Sequence, residues 1–191
     1  MSGVKFCSSC GYNDIEHKIP EGDNRLRYCC PECDTIFYEN PKIVAGCIGQ
    51  WEEKILLCKR AIEPRYGAWT LPAGFMENRE TIQQAAARET FEEATARASN
   101  MELFAIYNLP HISQVYIMFR ADIEDGKARS GIESLETQFV SEQDIPWGGL
   151  AFPVIAETLE LYFQDRKRGE YVLHTGEITR KPDRTFSTVR Y

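Results

Sequence analysis

Four cysteines and three glutamates have residue types and spacings that point to chemistry. Cys7 and Cys10, then Cys30 and Cys33 after a gap of 19 residues, make two Cys-x-x-Cys pairs. Each pair turns two thiolates to one side of the chain, and two such turns supply the four soft ligands that tetrahedral Zn²⁺ prefers. Four protein ligands leave no open coordination position, so the predicted role is structural. The glutamates lie in Arg88-Glu89-Thr90-Phe91-Glu92-Glu93. On a helix at about 100° per residue, Glu89 and Glu93 are about 40° apart and Glu92 flanks them one turn from Glu89. With Ile82 and Ala86 they continue an otherwise apolar stripe. Stacked carboxylates cost about 0.2–0.5 kcal/mol per exposed pair, and a hard divalent cation would remove that cost. The carboxylates alone are equally accounted for by a solvated acidic helix face.

A helix must carry those glutamates. Thr81 is a good N-cap with Gln84 three residues on, and Ile82 to Ala94 contains neither Gly nor Pro. Ahead of it, Lys42 to Trp51 and Lys54 to Arg60 read as paired strands across Glu52-Glu53, and Glu63 to Gly74 as an ordered loop rich in Pro, Gly and aromatics. Met101 to Asn108, Val115 to Ile123 and Glu136 to Val140 are further strands, and Pro153 to Arg168 is a second amphipathic helix. The division is 1–36 for the cysteine-rich segment, 37–169 for an α/β domain and 170–191 for a polar tail docking on the domain or a partner. The cysteine-rich segment is too short to bury a core, so metal would supply on the order of 10 kcal/mol or more of its folding free energy.

The chain has 191 residues, 22 Lys+Arg against 29 Asp+Glu and a formal charge of −7. That balance disfavours nucleic acid and anionic membranes as partners and favours a small molecule. No run approaches the roughly 18 apolar residues of a spanning helix, and Met1-Ser2-Gly3-Val4-Lys5 leads into polar sequence, so a cytoplasmic chain is expected. Seven cysteines, five of them within residues 7–33, suit metal binding better than a disulfide framework. Cys29 falls outside the ligand pattern, and Cys47 and Cys58 read as small buried hydrophobes.

Gly74, Glu80, Arg88-Glu89 and Glu92-Glu93 stand at the spacing of glycine, five residues, Glu, seven residues, Arg-Glu, two residues, Glu-Glu. This resembles the Nudix box, and Trp69-Thr70-Leu71-Pro72-Ala73 before it is similar to the family's entry to the box. The resemblance implies an α/β/α sandwich with a mixed sheet behind a zinc ribbon. It implies metal-dependent hydrolysis of a pyrophosphate, a phosphorus anhydride. Glu89, Glu92 and Glu93, with a backbone carbonyl near Ala73 or Gly74, would hold Mg²⁺ or Mn²⁺. Arg88 would orient the carboxylates and Glu80 would support the junction of loop and helix. The general base is recruited from the box or from a later loop, where Glu133 and Glu136 are the candidates. Arg60 is a candidate for pairing with phosphate, and Tyr66, Trp69 or Phe104 for stacking on a base; core or rim packing is the competing account of each.

Three positions depart from the box. Thr90 stands where an aliphatic residue is usual, Ala96 is small for its place, and Thr95 replaces the glycine after the helix, which predicts that the helix runs on. A zinc ribbon directly before such a domain looks like the NADH pyrophosphatase type. Lys59 to Gly67 is similar to plastid zinc-ribbon members associated with FAD and ADP-ribose. The Ser-Gln-Pro-Trp-Pro-Phe-Pro motif of the NADH type is absent, and Ile112-Ser113-Gln114-Val115-Tyr116 stands downstream of the box instead. The expected function is hydrolysis of a nucleoside diphosphate linked to another moiety, of the ADP-ribose, FAD or NADH class, by a chain compatible with a homodimer. The alternative is a Nudix-fold module that holds such a nucleotide without cutting it.

Overall fold

The computed structural model describes residues 3–191, so Met1 and Ser2, at the start of the leader reading, lie outside the described residues. The chain forms two compact units, one ending at Asn40 and one beginning at Pro41. Among the described residues no helix is long and apolar enough to cross a membrane.

The first unit is a three-stranded antiparallel sheet of β1 (Glu16–Lys18), β2 (Arg27–Cys29) and β3 (Ile36–Phe37), with Glu16 opposite Cys29 and Tyr28 opposite Phe37. Its buried residues are three cysteines and a proline: Cys7, Cys29, Cys30 and Pro20 are buried while Phe6, Ile19, Leu26 and Tyr38 face solvent. Such a unit lacks the apolar burial that would fold it unaided.

The second unit is built on a nine-stranded mixed sheet. Its main path runs β10 (Ser134–Val140), β5 (Lys54–Arg60), β4 (Lys42–Trp51), β9 (Gln114–Ile123), β8 (Ala98–Leu109), β11 (His174–Arg180) and β12 (Phe186–Arg190). The short strands β6 (Trp69–Thr70) and β7 (Ala73–Phe75) add to β5 and β4. The β4–β9 and β8–β11 pairings are parallel. Side chains alternate across a strand, and the core alternates with them. Val44, Ile48 and Met118 pack with Ile155, Leu159 and Tyr162 of α2 (Pro153–Arg168), whereas Ala45, Cys47, Ile117 and Phe119 pack with Ala85 and Ala86 of α1 (Ile82–Ala94). The two helices therefore cover opposite faces, giving the expected sandwich.

Helix α1 begins where its cap dictates: Gln84 N–H donates to Thr81 Oγ1 at 3.2 Å and Thr81 N–H to Gln84 Oε1 at 2.7 Å. The expectation that it runs past Ala94 is corrected. Thr95 itself takes the left-handed conformation at φ 47°, its N–H donating to the Phe91 carbonyl at 2.7 Å. Its hydroxyl donates to the Arg129 carbonyl at 3.0 Å, an anchor that a glycine lacks.

The segment 170–191, expected as a polar tail docking on the domain or a partner, docks on the domain by supplying two strands of its sheet. Gly176 pairs with Tyr107 and with Arg190. Arg190 Nε and the Tyr107 hydroxyl both donate to Glu157 Oε1, at 2.6 and 2.9 Å, tying β12 and β8 to α2.

Candidate active site and metal centre

In the cysteine-rich unit, turns place the four sulfurs. Gly11 N–H donates to the Cys7 carbonyl at 2.9 Å and Cys30 N–H to the Thr35 carbonyl at 2.9 Å, closing one knuckle on each side. The Sγ atoms of Cys7 and Cys33 are 3.6 Å apart, as are those of Cys10 and Cys30, and all four lie within 4.8 Å of one another. A tetrahedron with Zn–S bonds of about 2.3 Å has edges of about 3.8 Å, so these residues fit the ion. Cys29 is not in the cluster; its thiol donates to the Arg27 carbonyl at 3.7 Å.

In the second unit, α1 lays its glutamates against β7. An added Cβ on Gly74 would stand 2.3 Å from the Glu89 carboxyl carbon. Only a residue without a side chain lets the carboxylate rest on the strand, which is the physical reason for glycine at the head of the motif. Arg88 organises the acids around it. Its Nε and Nη2 donate to both oxygens of Glu80 at 3.0 and 2.7 Å, its Nη1 to Glu89 at 2.8 Å and Glu92 at 2.9 Å, and its Nη2 to the Phe75 carbonyl at 3.1 Å. Glu80 also accepts the Glu77 N–H at 2.7 Å. Hydrogen bonding to Arg88 pulls the Glu80 carboxyl down to about 2, while burial pushes Glu89 up.

Glu93 differs from its neighbours. It is 7% exposed, and among the described residues no Lys or Arg lies within ion-pairing distance of it. Burial, then the negative charges of Glu89 and Glu133, raise it to about 8, against the attraction of Arg60 and a hydrogen bond from the Ala73 backbone. A nearly buried carboxylate beside a second one, with hard oxygen donors on both, is a donor set suited to a divalent cation. Glu89 and Glu92 are turned to Arg88, and the three acids do not form a cluster as tight as that of the cysteines.

These acids lie along a cavity of 1490 Å³ whose lining also includes Arg60, Glu133 and Gly74. Arg60 donates to the Pro64 carbonyl at 3.0 Å and stacks on Phe152 with 5.2 Å to the ring centre. Of the two loop acids, Glu133 lines the cavity and its charge acts on Glu89 and Glu93; Glu136 faces Lys59, 3.7 Å away. The Glu133 loop is pinned to the end of α1. Arg129 N–H donates to the Ala94 carbonyl at 2.7 Å and Gly131 N–H to that of Glu93 at 2.9 Å, closing the C-terminus of the helix.

The aromatic candidates lie elsewhere. Phe104 is 1% exposed, enclosed by Tyr162, Tyr171 and His174, and cannot stack on a ligand. Trp69 packs against the core under Lys59, and Tyr66 is exposed; neither is among the described residues lining the cavity. The lining instead includes His111, Tyr116 and Phe152, with Arg180, Arg184 and Phe186 from the C-terminal hairpin. Sequence reasoning placed Arg180 and Arg184 in a polar tail docking on the domain or a partner and assigned none of these residues to the site. The excess of Arg at the end of an acidic chain was the available signal.

A family model for the NUDIX domain matches residues 40–161, and one described as Nudix N-terminal matches residues 5–39. A crystal structure of a NUDIX hydrolase from Nitrosomonas europaea is similar with a TM-score of 0.89 at 56% identity, over 92% of this chain and 99% of that one. An NAD-capped RNA hydrolase NudC of Haemophilus influenzae is 30% identical over 171 residues, 85% of this chain and 63% of that protein, so this chain spans less than two thirds of that relative's length. An ADP-ribose pyrophosphatase of Methanocaldococcus jannaschii is 30% identical over 115 residues, 57% of this chain and 67% of that protein. The spacing of the acids, the glycine beneath Glu89 and the cysteine unit ahead of them thus have one common explanation: the chain belongs to the Nudix family, in the form that carries an N-terminal zinc ribbon.

Proposed function

We propose that the protein hydrolyses the pyrophosphate of a nucleoside diphosphate linked to another moiety, of the ADP-ribose, FAD or NADH class, using Mg²⁺ or Mn²⁺. The observation that carries this reading is Glu93, buried beside Glu89 over Gly74 without a cation of its own. Glu89, Glu92 and Glu93, with the Gly74 carbonyl, would hold the divalent ion, which supplies charge neutralisation for phosphate and acidifies water. Arg88 keeps Glu89 and Glu92 oriented through its paired hydrogen bonds and is itself fixed by Glu80. Glu133, on the cavity wall and within electrostatic reach of Glu89 and Glu93, is the base we assign to take the proton of the attacking water. Arg60 faces the same cavity and would offset charge on a phosphate.

The names of the relatives support the same substrate class, one acting on NAD-capped RNA and one on ADP-ribose. The four cysteines would hold one structural Zn²⁺, and seven cysteines with no disulfide among them suit a reducing, cytoplasmic setting. Incubating purified protein and Mg²⁺ with ADP-ribose, FAD, NADH, CoA and nucleoside triphosphates tests the reading. Turnover concentrated on the first three supports it. Nucleotide binding without turnover of any would instead establish the non-hydrolytic module.

A further inference from the structure

The cavity has a second end. Strands β11 and β12 lie beyond residue 161, where the match to the NUDIX domain stops, yet Arg180, Arg184 and Phe186 line the same cavity as the glutamates. The acids rest against β7, on the edge of β4 away from β9, and β11 is four strands further along the sheet, about 19 Å at the usual strand spacing. Less the reach of a guanidinium, that separation leaves room for at least one nucleotide between the two groups.

The hairpin fixes the backbone that carries these residues. Arg180 pairs across the ladder with Phe186, Lys181 N–H donates to the Thr185 carbonyl at 2.8 Å, and Asp183 accepts the Thr185 N–H and hydroxyl at 2.9 and 2.6 Å. Arg184 stands in the left-handed region at φ 70° within this closed turn. Phe186 meets His111 at 5.8 Å between ring centres, an aromatic pair on the cavity wall. Among the described residues neither Arg180 nor Arg184 has an ion-pair partner, in a chain of net charge −7. Two unneutralised guanidiniums beside an aromatic pair make a site for a phosphate next to a base, whereas an uncharged nucleoside would need neither cation.

We infer that the C-terminal hairpin is the specificity element of the site: Arg180 and Arg184 bind a second phosphate on the ribose of the adenylate half, while Phe186 and His111 face its base. The inference takes only the position of the pyrophosphate from the proposed function. That second phosphate is either a 2′-substituent or the 3′-phosphate through which a nucleotide chain continues.

Titration calorimetry of the full chain with Mg²⁺ tests this without turnover, using AMP, adenosine 2′,5′-bisphosphate and adenosine 3′,5′-bisphosphate as probes. At least one bisphosphate is expected to bind about tenfold or more tightly than AMP, with the advantage falling below about threefold in the Arg180→Ala/Arg184→Ala protein. Whichever bisphosphate is favoured identifies the source of the phosphate. Equal binding of all three, no measurable binding of either bisphosphate, or an advantage that survives the double substitution overturns the inference. An Arg-dependent advantage in a protein that cleaves none of ADP-ribose, FAD and NADH leaves the inference standing and removes the pyrophosphohydrolase reading.

Discussion

In the proposed site, Glu93 is the residue whose burial and charge bear most directly on metal binding. Because burial raises its folded-state pKa to about 8 from the ordinary 4.5, the folded chain holds a proton that the unfolded chain has lost. Its contribution to stability is therefore fully present below the unfolded value and is lost as pH rises through about 8. In zinc-loaded protein without added Mg²⁺, the denaturant midpoint of the wild type should fall over that interval more than that of Glu93→Gln; parallel pH profiles would contradict the burial argument. Apparent Mg²⁺ affinity should rise over the same interval, since the ion must displace the proton. Glu93→Gln should retain the fold and lose at least about a hundredfold in kcat, as expected for losing one charged ligand of a catalytic ion. Gly74→Ala reaches the same end from the opposite side by driving a methyl group into the Glu89 carboxylate, and near-normal turnover in that variant would show that this contact is dispensable. The grouping of the glutamates on one helix face and of the cysteines in two pairs was legible from spacing because each is local in sequence, whereas a role for the glutamates beyond a solvated face rested on the resemblance. Arg88 was legible only as a member of a motif, since its bonds to Glu80 and the Phe75 carbonyl depend on a loop conformation that no spacing encodes.

Among the elements, those with strong local signals stand where sequence puts them. Strand β4, strand β5, helix α2 and the start of α1 have the expected bounds, because capping at Thr81, Pro153 at a helix start and the apolar runs are decided within a few residues. The C-terminal strands were not legible. Edge strand β12 is polar and mostly exposed, and β11 is defined by its parallel partner β8, some seventy residues earlier. Helix α1 ended where the box glycine was missing because a distant loop closes it, an interaction invisible in the local sequence. That loop can be tested directly. A Cβ on Gly131 would lie 1.7 Å from the Glu92 carbonyl oxygen, so Gly131→Ala should destabilise the fold by about 1–3 kcal/mol and lower kcat by shifting Glu133. An unchanged melting temperature and kcat would mean that the loop is not locked to the helix.

At the scale of the molecule, the chain joins a unit folded around four sulfurs to one folded around a sheet, and the two have different sources of stability. One Zn²⁺ per chain is expected by elemental analysis, retained in Cys29→Ser and lost in Cys30→Ser. Removing it should leave residues 5–39 open to proteolysis, while retention of zinc by Cys30→Ser would contradict the ligand set. The second unit has a cavity of 1490 Å³, above the usual range for drug-sized ligands and large enough for the two-part substrate proposed. If the acids hold a divalent ion as proposed, that ion offsets charge where phosphate oxygens converge, and water should attack phosphorus, forming one P–O bond as the anhydride P–O bond breaks. The most direct measurement is hydrolysis of ADP-ribose in ¹⁸O-labelled water with Mg²⁺, followed by mass spectrometry of the products. The account predicts AMP and ribose 5-phosphate with the label in the phosphate of one of them; free adenine, or label on a ribose carbon, would contradict it.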